Sequence, residues 1–219
     1  MPRISFDDIY KFQDTVLATL SNTDTEFYLT GGTAASRGYL HHRFSDDLDF
    51  FVNDDNRFTL WADRFRHTLL SLPDSECTVQ VNENRFVRLL LEYQNISLKI
   101  ELINDVPARV GTPSFHPQLG RLDTAENILA NKVSAAVDRN EPKDLADIWG
   151  FCTKLNLNLR AAITNAQGKA AGIFPADVAR VLCSVNQSDW EVVNWIERPP
   201  LKQFQSGLIL LGEELLRPS

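Results

Sequence analysis

Apolar positions recur at helical spacing over residues 5–20, where Ile9, Phe12, Val16, Leu17 and Leu20 line one side and Ser5 is placed to cap. EFYLT (26–30) reads as a short buried strand ending at Gly31-Gly32, and TAASRGYL (33–40) as a short helix. DLDFFVN (47–53) is a second strand. RFTLWADRFRHTLLSL (57–72) is a helix with Phe58, Trp61, Phe65, Leu69 and Leu72 on one side, stopped by Pro73. Three strands follow, CTVQVNE, RFVRLLLEYQ and ISLKIELIN, with turns expected at Asn82-Glu83-Asn84 and Gln94-Asn95. The last strand alternates: Leu98, Ile100 and Leu102 face one way, Ser97, Lys99 and Glu101 the other. Residues 104–121 hold three prolines and two glycines and read as loop.

After Leu122 the period changes. Helices are expected over 123–140, 141–156, 157–170, 175–185, 189–197 and 201–216. Asp123 with Glu126 resembles a capping box with Asp in place of Ser or Thr, and Pro142 suits the first turn of its helix. The pattern is an α+β half followed by an all-helical half, with the boundary near 104–122. No internal repeat or low-complexity tract interrupts it.

Composition narrows the class only a little. The 219 residues suffice for one large domain or two small ones, and 43% hydrophobic with 23% charged suits a globular chain. A net charge of −7 and a pI near 5.1 argue against a generally basic nucleic-acid binder, while leaving room for a local basic patch. The cysteines, Cys77, Cys152 and Cys183, are odd in number and far apart, so neither a disulfide framework nor a zinc knuckle is readable. Cys152 and Cys183 sit in apolar surroundings and read as small core residues. The N-terminal MPRISFDDIYKFQ carries charges where a signal peptide is apolar, and no run approaches the ~18 apolar residues of a membrane span. A cytoplasmic protein is the expectation, with no membrane partner.

The chemistry gathers around GGTAASRGYLHHRFSDDLDFF. Asp47 and Asp49 stand two apart on a strand and therefore point to one side, while Leu48 and Phe50 point to the other. Two close carboxylates repel, and a divalent cation relieves that repulsion; Mg²⁺ suits such a pair because it shares its remaining positions with water and phosphates. Glu101, on the polar side of an alternating strand that could pair beside 47–53, is the natural third acid. That trio has the layout of metal-assisted phosphoryl transfer. Gly31-Gly32 ends a strand and opens a helix, where backbone N–H groups can meet phosphate, and Thr33 adds a hydroxyl. Taken singly, each feature has a plainer reading. A Gly-Gly can be only a turn, Asp-x-Asp a solvated face, and Glu101 with Lys99 a surface ion pair. Their order along the chain is what narrows the choice.

The same passage resembles the fingerprint of the DNA polymerase β-like nucleotidyltransferases, and within them the AbiEii/AbiGii toxin family of bacterial and phage-defence systems. The resemblance lies in Gly31, Gly32, Thr33 and Ala34, then His42, Arg43, Ser45, Asp47, Asp49 and Phe51. LKIELINDVPARVG resembles the family's third-acid strand, and LANKVSAAVDRNEPKDLADI its helical motif. The match spans about residues 30–150, and beyond 155 only a generic helical tail is recognisable.

The resemblance implies a polymerase β-like nucleotidyltransferase domain with a mixed sheet and flanking helices over 1–120. A helical domain over 121–219 would complete the active-site cleft. It implies Asp47, Asp49 and Glu101 as metal-binding and catalytic acids. Gly31, Gly32 and Thr33, with Arg43 and Ser45, become nucleotide-binding candidates, Lys132 a triphosphate contact, and Asp144 a polar site residue near it. Asp147, one turn on, could share that face; Arg139 could touch a phosphate or an acid; Arg43 could instead pin its loop through Asp46. Arg37 reads as a surface residue and Arg109 as a loop buttress, while His41, His67 and His116 lack metal-ligand spacing. The implied activity is Mg²⁺-dependent transfer of an NMP from an NTP to an acceptor hydroxyl. The acceptor would be RNA, tRNA among them, and the chain a toxin with a cognate antitoxin. The alternative is a catalytically silent nucleotide-binding or interaction module on the same fold.

Overall fold

In a computed structural model of the chain, residues 5–217 are described; the charged N-terminal stretch begins outside them. The chain divides into two compact units. The first comprises Met1–Ala34, Ser45–Pro107 and Thr112–Asp123; the second Ala35–Phe44, Ala108–Gly111 and Thr124–Ser219. The longest segment of the second unit begins at Thr124, and Ala35–Phe44, coded amid the sheet, groups with it.

The first unit is built on a mixed sheet. Among the described residues seven strands pair in the order β3-β4-β5-β2-β1-β7-β6. They are β1 (Tyr28–Thr30), β2 (Leu48–Asn53), β3 (Ser75–Glu83), β4 (Phe86–Tyr93), β5 (Ile96–Asp105), β6 (Ser114–His116) and β7 (Gly120–Leu122). β2 runs parallel to β5 and antiparallel to β1. One face is apolar: Leu48, Phe50 and Val52 of β2, Leu98, Ile100 and Leu102 of β5, and Leu89 and Leu91 of β4 are all buried. Helix α1 (Phe6–Ser21), whose N-cap Ser5 accepts from the Asp8 N–H, buries Phe12, Val16, Leu17 and Leu20. Helix α3 (Phe58–Leu70) buries Phe58, Trp61, Phe65 and Leu69. Phe65 meets Phe27 at 4.9 Å and stands edge-on to Phe50 at 5.1 Å, so an aromatic cluster ties α3 to the sheet. Alternation along β2 and β5 leaves Asp49, Lys99 and Glu101 on the opposite face.

Two expectations are corrected here. The 104–121 stretch is not all loop, because β6 and β7 lie within it, and β7 pairs parallel with β1 at Leu29↔Leu122. Strands of three residues are too short to show alternation, and the flanking prolines and glycines mask them. The N-cap of helix α4 (Ala125–Arg139) is Thr124, which accepts from the Asn127 N–H, and not Asp123. Asp123 is fully buried and accepts instead from Thr30 Oγ1 at 2.7 Å.

Between β1 and β2 the chain forms α2 (Gly31–Thr33) and continues as a π-helical stretch, Ala34–Leu40. The second unit contains α4, α5 (Pro142–Lys154, with Pro142 in its first turn), α6 (Leu159–Gln167), α7 (Pro175–Cys183), α8 (Gln187–Val192) and α9 (Leu201–Leu216). Its core includes Ile128, Val133, Ile148, Phe151, Phe204 and Leu208. The helix expected over 189–197 stops at Val192, since Trp195 forms a β-bridge with Arg43 and its ring packs on Phe204 at 5.4 Å. Cys152 is buried as expected, whereas Cys183 is exposed: Val181 and Leu182 take the inward positions at that end of α7. No helix among the described residues is long and apolar enough to cross a membrane.

Candidate active site

Strand register assembles a polar row on the open face of the sheet. Asp49 stands opposite Glu101 on β5 and opposite Thr30 on β1, and Glu101 stands opposite Arg88 on β4. Residues opposed across a ladder project to the same face. Arg88, Glu101, Asp49 and Thr30 therefore form one line across four strands, which the buried Thr30–Asp123 hydrogen bond extends. Asp47 lies two residues before Asp49, and its backbone carbonyl accepts from Thr33 Oγ1.

Arg88 and Lys99 sit among these acids. Arg88 places Nε at 2.9 Å and Nη2 at 2.8 Å from Glu101 Oε1. Lys99 Nζ lies 2.9 Å from Asp47 Oδ2 and 3.4 Å from Glu101 Oε1. Burial alone would lower the Lys99 pKa. The hydrogen bond to Asp47 and the charges of Asp47, Glu101 and Asp49 outweigh it and hold the pKa above the usual lysine value. The row is open to solvent in part: side-chain exposure is 30% at Asp47 and 15% at Glu101.

Gly31 is fixed by this row. Its φ is +67°, and a Cβ built on it would lie 2.0 Å from Asp49 Oδ2. The diglycine bend thus lies directly against the Asp49 carboxylate, an approach that no side chain at 31 permits. Ser45 is held through its backbone: its N–H donates to Tyr10 Oη at 3.1 Å and its carbonyl accepts from Gln13 Nε2 at 3.0 Å.

The helical unit has its own buried ionic network. Asp147, wholly buried, accepts from Arg43 Nε at 2.7 Å and Nη2 at 2.8 Å, and pairs with Lys132 Nζ at 2.8 Å. Lys132 Nζ also lies 2.8 Å from Asp144 Oδ1, and Arg139 Nε donates to Asp144 Oδ2 at 2.8 Å. His42 Nε2 lies 3.0 Å from Asp147 Oδ1, with the ring 1% exposed. Burial would raise the carboxyl pKa of Asp147; the charges of Arg43 and Lys132 overcome that and hold it well below the ordinary value. Asp144 is lowered in the same way by Lys132 and Arg139 against its burial. For Lys132 the two carboxylates outweigh desolvation and raise the pKa.

The family model described as "Nucleotidyl transferase AbiEii toxin, Type IV TA system" matches residues 15–200. The chain belongs to the AbiEii family. Solved structures share its fold. A Helicobacter pylori protein described as a candidate nucleotidyltransferase is 18% identical over 97% of this chain and 96% of its own, with a TM-score of 0.67. JHP933, also from H. pylori, is 19% identical over 97% and 93%, at 0.66. MenT4, a nucleotidyltransferase toxin of Mycobacterium tuberculosis, is 18% identical over 96% and 84%, at 0.66. A search of the curated proteins found no match.

Within this AbiEii chain the expected residues fall into two groups. Gly31, Gly32, Thr33, Ser45, Asp47, Asp49 and Glu101 belong to the sheet unit, while Arg43, Lys132 and Asp144 belong to the helical one. Asp47, Asp49 and Glu101 share a face, where Lys99 bridges Asp47 and Glu101. No group of three or more His, Cys, Asp or Glu among the described residues gathers closely enough to hold a metal ion. Arg43 pairs with Asp147, not with Asp46. Lys132 is neither solvated nor open; its ammonium is buried between two carboxylates. Arg109 Nε donates to the Gly111 carbonyl at 3.1 Å, in keeping with a loop buttress. Arg88 and Thr30 were missed; only the strand pairing places them in the row, and single-strand alternation does not reveal their neighbours.

Proposed function

We propose that this AbiEii chain transfers a nucleoside monophosphate from an NTP to an acceptor hydroxyl and releases pyrophosphate. The observation that carries the reading is the Asp49↔Glu101 register, which sets three acids on one open face beside the diglycine bend. In the reaction the acceptor hydroxyl oxygen forms a bond to the α-phosphorus as its proton passes to Glu101, and the bond from that phosphorus to the α–β bridging oxygen breaks.

Asp47 and Asp49 fit a hard divalent cation. They are oxygen donors two apart at the start of β2, both partly exposed, and a cation already stands on Asp47 in the form of the Lys99 ammonium. A magnesium ion bound there supplies charge neutralisation on the triphosphate. Glu101 is the third acid, oriented by Arg88, on the side proposed for the acceptor. Gly31, Gly32 and Thr33 line the bend where phosphate oxygens can approach backbone N–H groups. Lys132 remains the proposed phosphate contact of the helical unit, and a phosphate there replaces one of its two carboxylate partners. We further propose RNA, with tRNA among the acceptors, and a toxin role paired with an antitoxin; the family's type IV toxin–antitoxin assignment supports the latter.

The test is incubation with each labelled NTP, Mg²⁺ and total RNA, for the wild-type chain and Asp47→Ala. Label should enter RNA with the wild type alone. Equal labelling by both proteins excludes this site, and tight NTP binding by calorimetry without any product supports the silent module.

A further inference from the structure

We propose that Lys99 is a built-in counter-ion of the acid row, seated on Asp47 while no divalent cation is bound and exchanged off it when one arrives. The inference rests on the reading above, in which Asp47 and Asp49 hold that cation.

Three observations support it. Lys99 Nζ already bridges Asp47 and Glu101, at 2.9 and 3.4 Å, and so stands where a cation serving those acids has to come. Charge is the second. Lys99 and Arg88 are positive charges already set against Asp47 and Glu101. A dication added without releasing Lys99 sets an ammonium and a metal ion in competition for the same Asp47 carboxylate. The third is mobility. Lys99 is a single point charge on a flexible four-carbon stem, and its side chain is 35% exposed, so it can swing out into water. Arg88 cannot exchange so readily, because two guanidinium nitrogens grip Glu101 from the directly opposed strand position. Lys99 thereby keeps the acids compatible with folding before metal binds, and sets a threshold concentration for occupancy.

Mn²⁺ binding, followed by electron paramagnetic resonance on the full chain, tests this with wild type, Lys99→Gln, Lys99→Arg, Asp47→Asn and the Lys99→Gln/Asp47→Asn double variant. Lys99→Gln should bind Mn²⁺ roughly two- to fivefold tighter than wild type, the scale set by a partly exposed ion pair. Lys99→Arg, which keeps the charge, should track wild type, and the gain should vanish in the Asp47→Asn background. A second measurement needs no variant. Saturating Mg²⁺ should increase acylation of Lys99 by an amine-reactive reagent, read by peptide mass spectrometry. If Lys99→Gln binds Mn²⁺ no tighter than wild type while Asp47→Asn loses it, or if Mg²⁺ leaves Lys99 labelling unchanged, the counter-ion role is overturned and the metal site stands. If neither wild type nor Lys99→Gln binds Mn²⁺, both readings fall.

Discussion

The Asp49 carboxylate occupies the space a side chain on Gly31 would need: a Cβ there lies 2.0 Å from Oδ2 and 3.0 Å from the Asp49 Cβ. Gly31→Ala therefore meets two separate penalties. The left-handed backbone at φ +67° costs about 1–2 kcal/mol for an L side chain, and the clash adds to it. Urea denaturation should show Gly31→Ala destabilised by more than the backbone penalty alone. The double variant Gly31→Ala/Asp49→Gly should recover part of that loss, through a coupling that is non-additive for residues in contact.

Asp147→Ala should be among the most damaging substitutions in the helical unit. It strands Arg43 and Lys132, both buried, without their shared carboxylate. Breaking such a pair costs about 3–5 kcal/mol. Arg64→Ala, which removes an ion pair to a fully solvated Asp24, should leave the unfolding midpoint unchanged.

The capping assignment can be checked on α4. Thr124→Ala removes the hydroxyl that receives the Asn127 N–H and should cost about 1 kcal/mol. Glu126→Ala should cost less, since Glu126 is not part of a capping box here. Asp123→Ala should cost about 1–3 kcal/mol by leaving the buried Thr30 hydroxyl unpaired. Chemical denaturation of the three variants ranks them.

Stability should fall as pH drops below about 6.5, the ordinary histidine value. Burial disfavours the charged ring of His42, and Asp147 only partly opposes that, so its pKa is lowered in the folded chain. Below 6.5 the unfolded chain takes up a proton that the folded chain resists until lower pH, which favours unfolding. The depressed carboxyls Asp144 and Asp147 act elsewhere, below their ordinary 3.8. The loss of Tm between pH 7.5 and pH 5.5 should be smaller in His42→Asn than in wild type; an unchanged difference assigns the effect to other groups.

Where the sequence announced structure, it did so through periodicity. The alternation of 96–104 gave β5 its two faces, and Asp47 and Asp49 followed from a spacing of two on β2. α9 was readable to its bounds because a long amphipathic run with Pro200 before it leaves little choice. What stayed hidden depends on partners distant in the chain. β7 exists because it lies beside β1, and Asp123 is buried where the Thr30 hydroxyl, 93 residues earlier, donates to it. Trp195 leaves the helical path to pair with Arg43. The Arg43–Asp147 pair, 104 residues apart, could not be read from either residue's surroundings. Lys99 was visible as a neighbour of Glu101, but its hold on Asp47 required the β2–β5 register.

The unit membership of Ala35–Phe44 has a consequence for how the chain is made on the ribosome. His42 and Arg43 emerge early, yet the carboxylate that neutralises Arg43 is polymerised 104 residues later. The sheet sequence through Asp123 is thus polymerised before the Asp147 carboxylate that pairs with Arg43. It follows that the nascent polypeptide carries Arg43 without that counter-charge until α5 has been translated, and that a fragment ending at residue 123 never gains it.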